Sequence, residues 1–259
     1  MTRTFVMSVL ATLTFCSCTV LEERMPCPGR LTVDVSDLRG RQGAGNLRLD
    51  LFAVDGSYSV SRYVEIPDAD KMVFIVPKTE YSICASSGQL HTQFSNTGIA
   101  LGAAGSQADS LFAFSDRLMV EGEETDYRGV FHKNFATVTV VSTIYGGFDG
   151  MTLIAKSPFG GLDYRNMTAV ENTFNCILVP DSEGRYAFRM YRQADTRMTL
   201  VIRAEGFDHI IPVGEQLKQM GYDFSSPDMA DVTVGIDIVS MTVTITVAEW
   251  NMKRVYTII

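Results

Sequence analysis

Side chains suited to acid–base or metal chemistry are scarce in this chain. Its 259 residues include three histidines, His91, His132 and His209, which are far apart in the sequence. The sequence contains no G-x-S-x-G nucleophile elbow, no H-E-x-x-H pair and no Walker loop. Carboxylate pairs of the glycosidase type meet only in space and leave no spacing to read, so they stay open here. The residue types therefore favour a protein that is not an enzyme and that needs no cofactor or metal.

The N-terminus combines an apolar run with a cysteine motif. Residues 5–15 form an apolar stretch of about eleven residues behind one arginine, which suits a signal-peptide core, whereas a membrane-spanning helix needs roughly 20. The sequence Phe15-Cys16-Ser17-Cys18 follows and resembles the lipobox of bacterial lipoproteins. The resemblance predicts a signal peptide over residues 1–17 and acyl groups such as palmitate on Cys18, which would anchor the chain in a membrane. Cys16 is a second candidate for the modified residue, and an ordinary cleaved signal peptide is the alternative.

Residues 18–29 are predicted to form an extended tether behind the lipid. They contain two prolines and a glycine and few apolar side chains, a composition typical of a linker. The acidic pair Glu22-Glu23 resembles the signals that send some lipoproteins to the outer face of the outer membrane. We therefore expect a lipid-anchored, surface-exposed protein of the cell outer membrane, although a solvated linker often has the same composition.

Three cysteines, Cys27, Cys84 and Cys176, lie beyond the lipobox. They form no C-x-x-C pair, so the sequence predicts neither a zinc ribbon nor a thioredoxin-type site. Because export to an oxidising compartment permits disulfides, Cys27 and Cys84 are a candidate pair, and two free thiols are an equal alternative. Cys176 precedes an apolar run and is predicted to be a small core residue.

Composition and charge exclude several classes of protein. With 46% hydrophobic and 20% charged residues, the chain is globular rather than disordered or fibrous. Thirty acidic and 22 basic residues give a net charge of -8. No basic stripe offsets that charge along the sequence, so nucleic acid is not an expected partner.

The elements that position these residues are predicted to be strands. From Arg30 onward apolar and polar residues alternate, as in Leu31, Val33 and Val35 and again in Leu47, Leu49 and Leu51. This period of two predicts strands that pack on one face and present the other to solvent. Asp55-Gly56 between two such runs predicts a hairpin. The helical signal is confined to residues 213–221, so the sequence predicts an all-β sandwich fold with one short helix.

Two polar regions suggest how the chain is divided. The Gly-, Ala- and Ser-rich residues 86–110 are predicted to form a surface loop. Residues 121–126 hold four carboxylates and are predicted to be a solvated linker, with a calcium site as the lesser alternative. We therefore expect an N-terminal β-sandwich over residues 30–127 and a C-terminal one over residues 128–259. The two halves echo each other, because an apolar run stops at Pro77 or Pro180 and resumes at Tyr81 or Tyr186.

An ordered series of segments resembles the anchor (minor subunit) family of type V fimbriae. The segments are CPGRLTVD at 27–34, FHKNFATVTV at 131–140, RMYRQAD at 189–195, IPVGEQL at 211–217, GYDF at 221–224 and the stretch 231–250, which begins DVTV and ends in tryptophan. The resemblance covers almost the whole chain after the lipobox. It implies two tandem transthyretin-like Greek-key β-sandwiches on an outer-membrane lipid, in a protein that is not an enzyme.

The same resemblance implies a fimbrial function. The protein would anchor a fimbrium (pilus), or serve as an accessory subunit, and would bind the shaft subunit by β-strand complementation. Because it is long and apolar, the segment Met241–Trp250, or else the tail Met252–Ile259, is the candidate strand. The alternative for the longer segment is a central core strand. A second functional hypothesis is a glycan-binding surface lipoprotein that is not part of a fimbrium.

Overall fold

The computed structural model describes residues 27–65, 70–88, 93–94, 98–103, 105–143, 148–248 and 253–257. The signal peptide, Cys18, His91 and Trp250 lie outside these residues. The strands of the described part are β1 (Gly29–Asp34), β2 (Leu47–Ala53), β3 (Ser59–Val64), β4 (Lys71–Val76), β5 (Glu80–Ser87), β6 (Gln93–Phe94), β7 (Ile99–Leu101), β8 (Phe112–Met119), β9 (Glu124–Arg128), β10 (His132–Lys133), β11 (Phe135–Ser142), β12 (Thr152–Ser157), β13 (Gly161–Asp163), β14 (Thr168–Val170), β15 (Phe174–Ile177), β16 (Tyr186–Tyr191), β17 (Thr199–Ala204), β18 (Phe207–Ile211), β19 (Val232–Asp237), β20 (Thr242–Val247) and β21 (Lys253–Thr257). One α-helix, α1, spans Val213–Gln219. No helix within the described ranges has the length and apolar character to cross a membrane.

The first half of the chain forms two sheets that enclose one core. Their strand orders are β4-β1-β9 and β10-β8-β5-β2-β3. Strand β1 pairs antiparallel with β4 and parallel with β9. Its alternating residues Leu31 and Val33 are fully buried with Phe74 and Ile83 from the two sheets. Burial of one such side chain contributes about 1.5–3 kcal/mol, so the predicted alternation is what joins the two layers.

The second half repeats this plan, with two strands, β20 and β21, added to the sheet that corresponds to β4-β1-β9. Its sheets have the orders β16-β11-β19-β20-β21 and β15-β12-β17-β18. Strand β11 takes the place of β1, because it pairs antiparallel with β16 and parallel with β19. Helix α1 packs on this core through Val213 and Leu217 and is followed by Gly221 at φ +86°, a left-handed residue typical of a helix end. The predicted all-β sandwich fold with one short helix is confirmed.

A fifth sheet, which we call the joining sheet, connects the two halves. Its order is β14-β13-β7-β6, and β13 from the second half pairs antiparallel with β7 from the first. Strand β7 lies in the glycine-rich segment that the sequence predicts to be a surface loop. That prediction is wrong for residues 86–87, which end β5 and are fully buried, and for residues 93–94, which form β6. It is also wrong for residues 98–101 and 108–109, where Ala100 and Ala108 are buried.

The joining sheet also changes the environment of β2. The sequence predicts that Arg48 and Asp50 face solvent, yet their exposed fractions are 2% and 0%. Residues in and next to the joining sheet cover the outer face of β2 and β5, and Leu162, Tyr164 and Cys84 form a small buried cluster there. The prediction of one-sided strands fails here because a segment from the other half of the chain supplies the cover.

The acidic run is not a plain linker. Residues Glu124–Arg128 form β9, an edge strand that pairs with β1. Beyond it, Phe131 and Phe135 pack into the core of the first half, and β10 pairs with β8. The chain enters the sheet of the second half only at β11. The division into two domains at residue 127 stays a prediction.

Candidate functional site

The two cysteines that are a candidate pair in the sequence, Cys27 and Cys84, are free thiols in the structure. Cys27 is exposed, whereas Cys84 is fully buried on β5. The Cys84 side chain packs with Ala100 and Tyr164 beneath the joining sheet, whereas Cys27 precedes β1 in the opposite sheet of the sandwich. Burial raises the pKa of the Cys84 thiol to about 12, so this group is protonated at neutral pH and chemically inert. Of the two equal alternatives that the sequence leaves open, a bridge or two free thiols, the structure has the free thiols.

The described histidines do not assemble a reactive site. The Nδ1 atom of His132 lies 3.1 Å from Oδ2 of Asp228 near the surface, and His209 on β18 contacts the ring of Phe207. Among the described residues no group of three or more His, Cys, Asp or Glu side chains could hold a metal ion. Cys176 is partly buried against the second core. Two other regions could support a function: the contact surface between the two sandwiches, which we call the seam, and the edges of the sheets.

A buried polar cluster lies at the seam between the two halves. Asp50 on β2 accepts hydrogen bonds from Nε of Arg48 at 3.0 and 2.8 Å, and the Tyr164 hydroxyl donates to its Oδ2 at 2.7 Å. Tyr164 comes from the β13–β14 hairpin of the second half, and burial beside Asp50 raises its pKa above the ordinary value. A buried ion pair is tolerated when its remaining donors and acceptors are satisfied. The cluster therefore fixes the hairpin at one position on β2.

Close backbone contacts continue this seam. The Gly102 N–H donates to the Gly160 carbonyl at 2.8 Å, and Nδ2 of Asn172 donates to the Gly102 carbonyl at 3.0 Å. A Cβ atom on Gly160 would lie 2.6 Å from the Asn172 carbonyl oxygen, so only glycine permits this approach. Arg165 also lies over the ring of Phe52, 4.6 Å from its centre. These contacts give the two halves a shared, specific interface.

One edge of the larger second-half sheet is covered. The N–H of Ala108 donates to the Arg189 carbonyl at 3.0 Å, and the N–H of Arg189 donates to Oε1 of Gln107 at 3.2 Å. The covering segment is held in turn by Gly88, at φ +100°, where a Cβ atom would lie 1.7 Å from the Ser110 carbonyl oxygen. Strand β16 is thus closed to a further strand along this stretch.

The other edge of that sheet is open in the described part of the chain. Strand β21 pairs with β20 on one side, and no described strand pairs with its outer side. Val255 is 56% exposed, whereas Tyr256 packs against the second core. The Tyr256 hydroxyl is buried without a hydrogen-bond partner among the described residues, which costs roughly 1–3 kcal/mol. Strand β21 is therefore held by one ladder and few side chains.

The predicted C-terminal strand has a different position. Residues Thr242–Val247 form β20, which lies between β19 and β21, and Val243 and Ile245 are fully buried. This segment is the central core strand that was the alternative in the sequence. Of the tail Met252–Ile259, residues Lys253–Thr257 form the edge strand. The tail is therefore the part of the C-terminus that is open to pairing.

The comparisons with known proteins rest on structure. No protein-family model matches the sequence, and no curated protein is similar to it. The fold is similar to a proposed polysaccharide-binding protein (DUF1812) from Bacteroides thetaiotaomicron, with 12% identity, a TM-score of 0.64 and coverage of 90% of this chain and 99% of that one. It is equally similar to the fimbrial anchor protein Mfa2 from Porphyromonas gingivalis, with 12% identity, a TM-score of 0.63 and coverage of 86% and 98%.

A proposed adhesin from Bacteroides ovatus has the same fold, with 10% identity, a TM-score of 0.59 and coverage of 92% of this chain and 98% of the other. At these identities the similarity shows a shared fold. The resemblance to fimbrial anchor proteins seen in the sequence is therefore matched by the fold of a fimbrial anchor protein over nearly its whole length. The roles given to these three proteins are polysaccharide binding, fimbrial anchoring and adhesion.

Proposed function

We propose that the protein is a surface lipoprotein that anchors a fimbrium, or serves as its accessory subunit, and that it is not an enzyme. The fold that it shares with a fimbrial anchor protein supports this role. Acyl groups on Cys18 would hold it in the outer membrane, and residues 18–29 would separate the sandwiches from the bilayer. Shaft or accessory subunits of the fimbrium would be its protein partners.

The open edge at β21 is the observation that carries the proposal. An unpaired row of N–H and C=O groups is a template for strand addition. In the same sheet, the opposite edge strand β16 is covered by residues 107–109. A strand from a fimbrial partner would therefore pair in this sheet at β21, either beside it or in its place.

The position of β21 in the chain supports exchange rather than addition at another edge. Strand β18 is also an edge, but its last residue, Ile211, and the nearby Val213 in α1 are buried in the core. Displacement of β18 would therefore unfold its surroundings. Strand β21 is the last described strand, and it contacts α1 through Arg254 and Gln219. Its removal would break one ladder and leave β19 and β20 paired.

A reversible cross-link tests this proposal. Thr244 and Val255 are paired across β20 and β21, so the double variant Thr244→Cys/Val255→Cys, in a Cys27→Ser background, would lock the tail when oxidised. The matched control Thr233→Cys/Thr246→Cys locks the interior pair β19–β20. We expect only the oxidised tail lock to release fimbriae into the medium, and a reductant to restore attachment. If fimbriae stay attached to cells with the oxidised tail lock, β21 is not the exchange site.

The lipid anchor has a separate test. Cells that produce Cys18→Ala should incorporate no radiolabelled palmitate into the protein and should release it from the membrane fraction. Cys16→Ala is the matched control and should keep both label and membrane attachment. Incorporation of label by Cys18→Ala would refute the assignment of the modified residue.

A further inference from the structure

We propose that a groove between the two sandwiches binds the carboxylate of an acidic saccharide. The groove has a volume of about 660 Å³, which lies within the ordinary range for small-molecule sites. We call it the basic groove. Its polar lining comes from both halves of the chain and consists of Arg41, Gln42, Ser110, Lys133, Thr137, Arg189 and Asp231. This binding would be independent of fimbrial attachment, because β21 is the opposite edge of the sheet from β16, which carries Arg189.

The basic groove has one cation that no described carboxylate compensates. Nη2 of Arg41 lies 2.8 Å from Oδ2 of Asp37, and Nζ of Lys133 lies 2.6 Å from Oδ1 of Asp231. Arg189 has no ion-pair partner among the described residues; its described hydrogen-bond acceptors are neutral. The groove therefore carries about one net positive charge in a chain whose net charge is -8. One monoanionic group would balance it.

The Arg189 side chain is held in place before any ligand binds. Its Nε donates to the Ala108 carbonyl at 2.8 Å, and its Nη1 donates to Oγ of Ser110 at 3.0 Å. Its Nη2 donates to none of the described residues. A guanidinium fixed in this way keeps a planar set of donors that suits the two oxygens of a carboxylate. Little side-chain entropy would be lost on binding.

The other polar groups favour a sugar acid over a simple anion. Gln42 is exposed at the rim, Thr137 is half-buried, and both can exchange hydrogen bonds with hydroxyls. Asp231 can accept from sugar hydroxyls, and its charge would repel a phosphate dianion more than a carboxylate. Beneath them, Phe112 and Phe135 pack edge to face with ring centres 5.5 Å apart. Both rings are at least 94% buried, so recognition would rest on polar contacts rather than on stacking.

Calorimetric titration of the full-length lipoprotein in detergent tests the proposal. The probes are D-glucuronate, glucose, glucose 6-phosphate and acetate. We expect glucuronate to bind, glucose to bind at least tenfold more weakly, and acetate and glucose 6-phosphate to bind more weakly than glucuronate. No binding of glucuronate would overturn the proposal. Equal affinity for acetate would indicate a site for a bare carboxylate, and tighter binding of glucose 6-phosphate a phosphate site; either result would overturn the assignment to a sugar acid.

Variants locate the site. Arg189→Gln should weaken glucuronate binding by about ten- to a hundredfold, because a hydrogen-bonded charge is lost. The control Arg185→Gln removes an exposed arginine of the same region that pairs with Asp181 and Glu183 outside the groove, and should leave the affinity unchanged. Because Arg189→Gln also removes two internal hydrogen bonds, the rim variant Gln42→Glu gives a second test. It should weaken binding without a change in melting temperature, and unchanged affinity in Gln42→Glu would place the ligand elsewhere.

Discussion

Removal of the Tyr164 hydroxyl should loosen the seam between the two sandwiches. In the folded protein that hydroxyl donates to Asp50 at 2.7 Å, and both residues are fully buried. The variant Tyr164→Phe keeps the ring and deletes the donor, so Asp50 loses one hydrogen bond in a fully buried position. A hydrogen bond to a charged group contributes about 1.5–3 kcal/mol. We expect the free energy of unfolding to fall by that amount.

For a chain of this size a loss of 1 kcal/mol lowers the melting temperature by roughly 2–4 °C. Tyr164→Phe should therefore melt about 3–12 °C below the unmodified protein. Asp50→Asn should cost more, about 3–5 kcal/mol, because it removes the carboxylate that compensates the buried Arg48. The control is Tyr63→Phe. Tyr63 accepts a hydrogen bond from Arg48 at 2.8 Å but is 61% exposed, so its loss should cost less than about 1 kcal/mol.

Urea denaturation followed by circular dichroism measures these differences, with calorimetry to report the number of transitions. The expected order of stability is unmodified protein, Tyr63→Phe, Tyr164→Phe and then Asp50→Asn. A Tyr164→Phe protein within 0.5 kcal/mol (about the error of such data) of the unmodified one would refute the view that this contact joins the halves. An Asp50→Asn protein as stable as the control would refute the buried ion pair.

Three further predictions concern single residues. Gly56 has φ +75° and open space around it, so Gly56→Ala should lower the free energy of unfolding by about 1–2 kcal/mol. Gly88→Ala adds a backbone clash and should lower it by about 3 kcal/mol or more. Equal losses for the two variants in urea denaturation would contradict the close contact at Gly88. Burial raises the pKa of Tyr81 to about 12, so the folded state keeps a proton that the unfolded state loses near pH 10. The stability from this group is complete below about pH 10 and is lost as the pH rises towards 12, and Tyr81→Phe should show a smaller alkaline loss in melting temperature. In the native protein a thiol reagent should modify Cys27 quickly and Cys84 only after unfolding, and the unfolded, unreduced chain should give three free thiols, whereas a disulfide would leave one.

The alternation of apolar residues was enough to predict the strands and their inner faces. Leu31 and Val33 on β1, and Val243 and Ile245 on β20, are all buried as the period of two requires. Arg48 and Asp50 alternate with leucines in the same way, yet they are buried as well. Burial of this polar face depends on Tyr164, a residue 114 positions away from Asp50. The alternation within β2 contains no information about a residue so distant in the sequence that covers its polar face.

The repeat of the two halves is present in the topology but not where the sequence echo lies. Strands β4 and β16 are equivalent, because each pairs antiparallel with the strand that begins its sandwich. Pro77 follows the end of β4, whereas Pro180 precedes β16, which begins at Tyr186. The similar sequence segments therefore differ by one strand in their position within the two sandwiches. Proline after an apolar run and tyrosine at a strand start are common turn chemistry, and they recur without marking equivalent positions.

The acidic run shows how charge can mislead. Four carboxylates in residues 121–126 predicted a solvated linker, but part of the run forms the edge strand β9. Charged side chains on an edge discourage pairing with other molecules while leaving the inner pairing intact. The side chains Thr125 and Tyr127, between the charges, are half-buried, and Tyr127 packs against the first core. The run of carboxylates therefore concealed the strand pattern, although the inward residues of β9 alternate with the charged ones as in any one-sided strand.

The crossing between the two halves is short and fixed, which bears on how an anchor would carry load. Strand β10 ends at Lys133 in the sheet of the first half, and β11 begins at Phe135 in the sheet of the second. Between them, Asn134 is fully buried and accepts a hydrogen bond from Nε of Arg192 at 2.7 Å. Arg192 also donates to the carbonyls of Ser226 and Pro227 at 2.6 and 2.7 Å. A pull on a partner strand at β21 would pass through the ladders of β20, β19 and β11 to this residue and on to the first sandwich. On the other side, Nδ2 of Asn134 donates to the Ala113 carbonyl of the first half at 3.4 Å. Because hydrogen bonds to both halves hold the crossing, the pull would load the ladders and the seam rather than straighten a flexible linker.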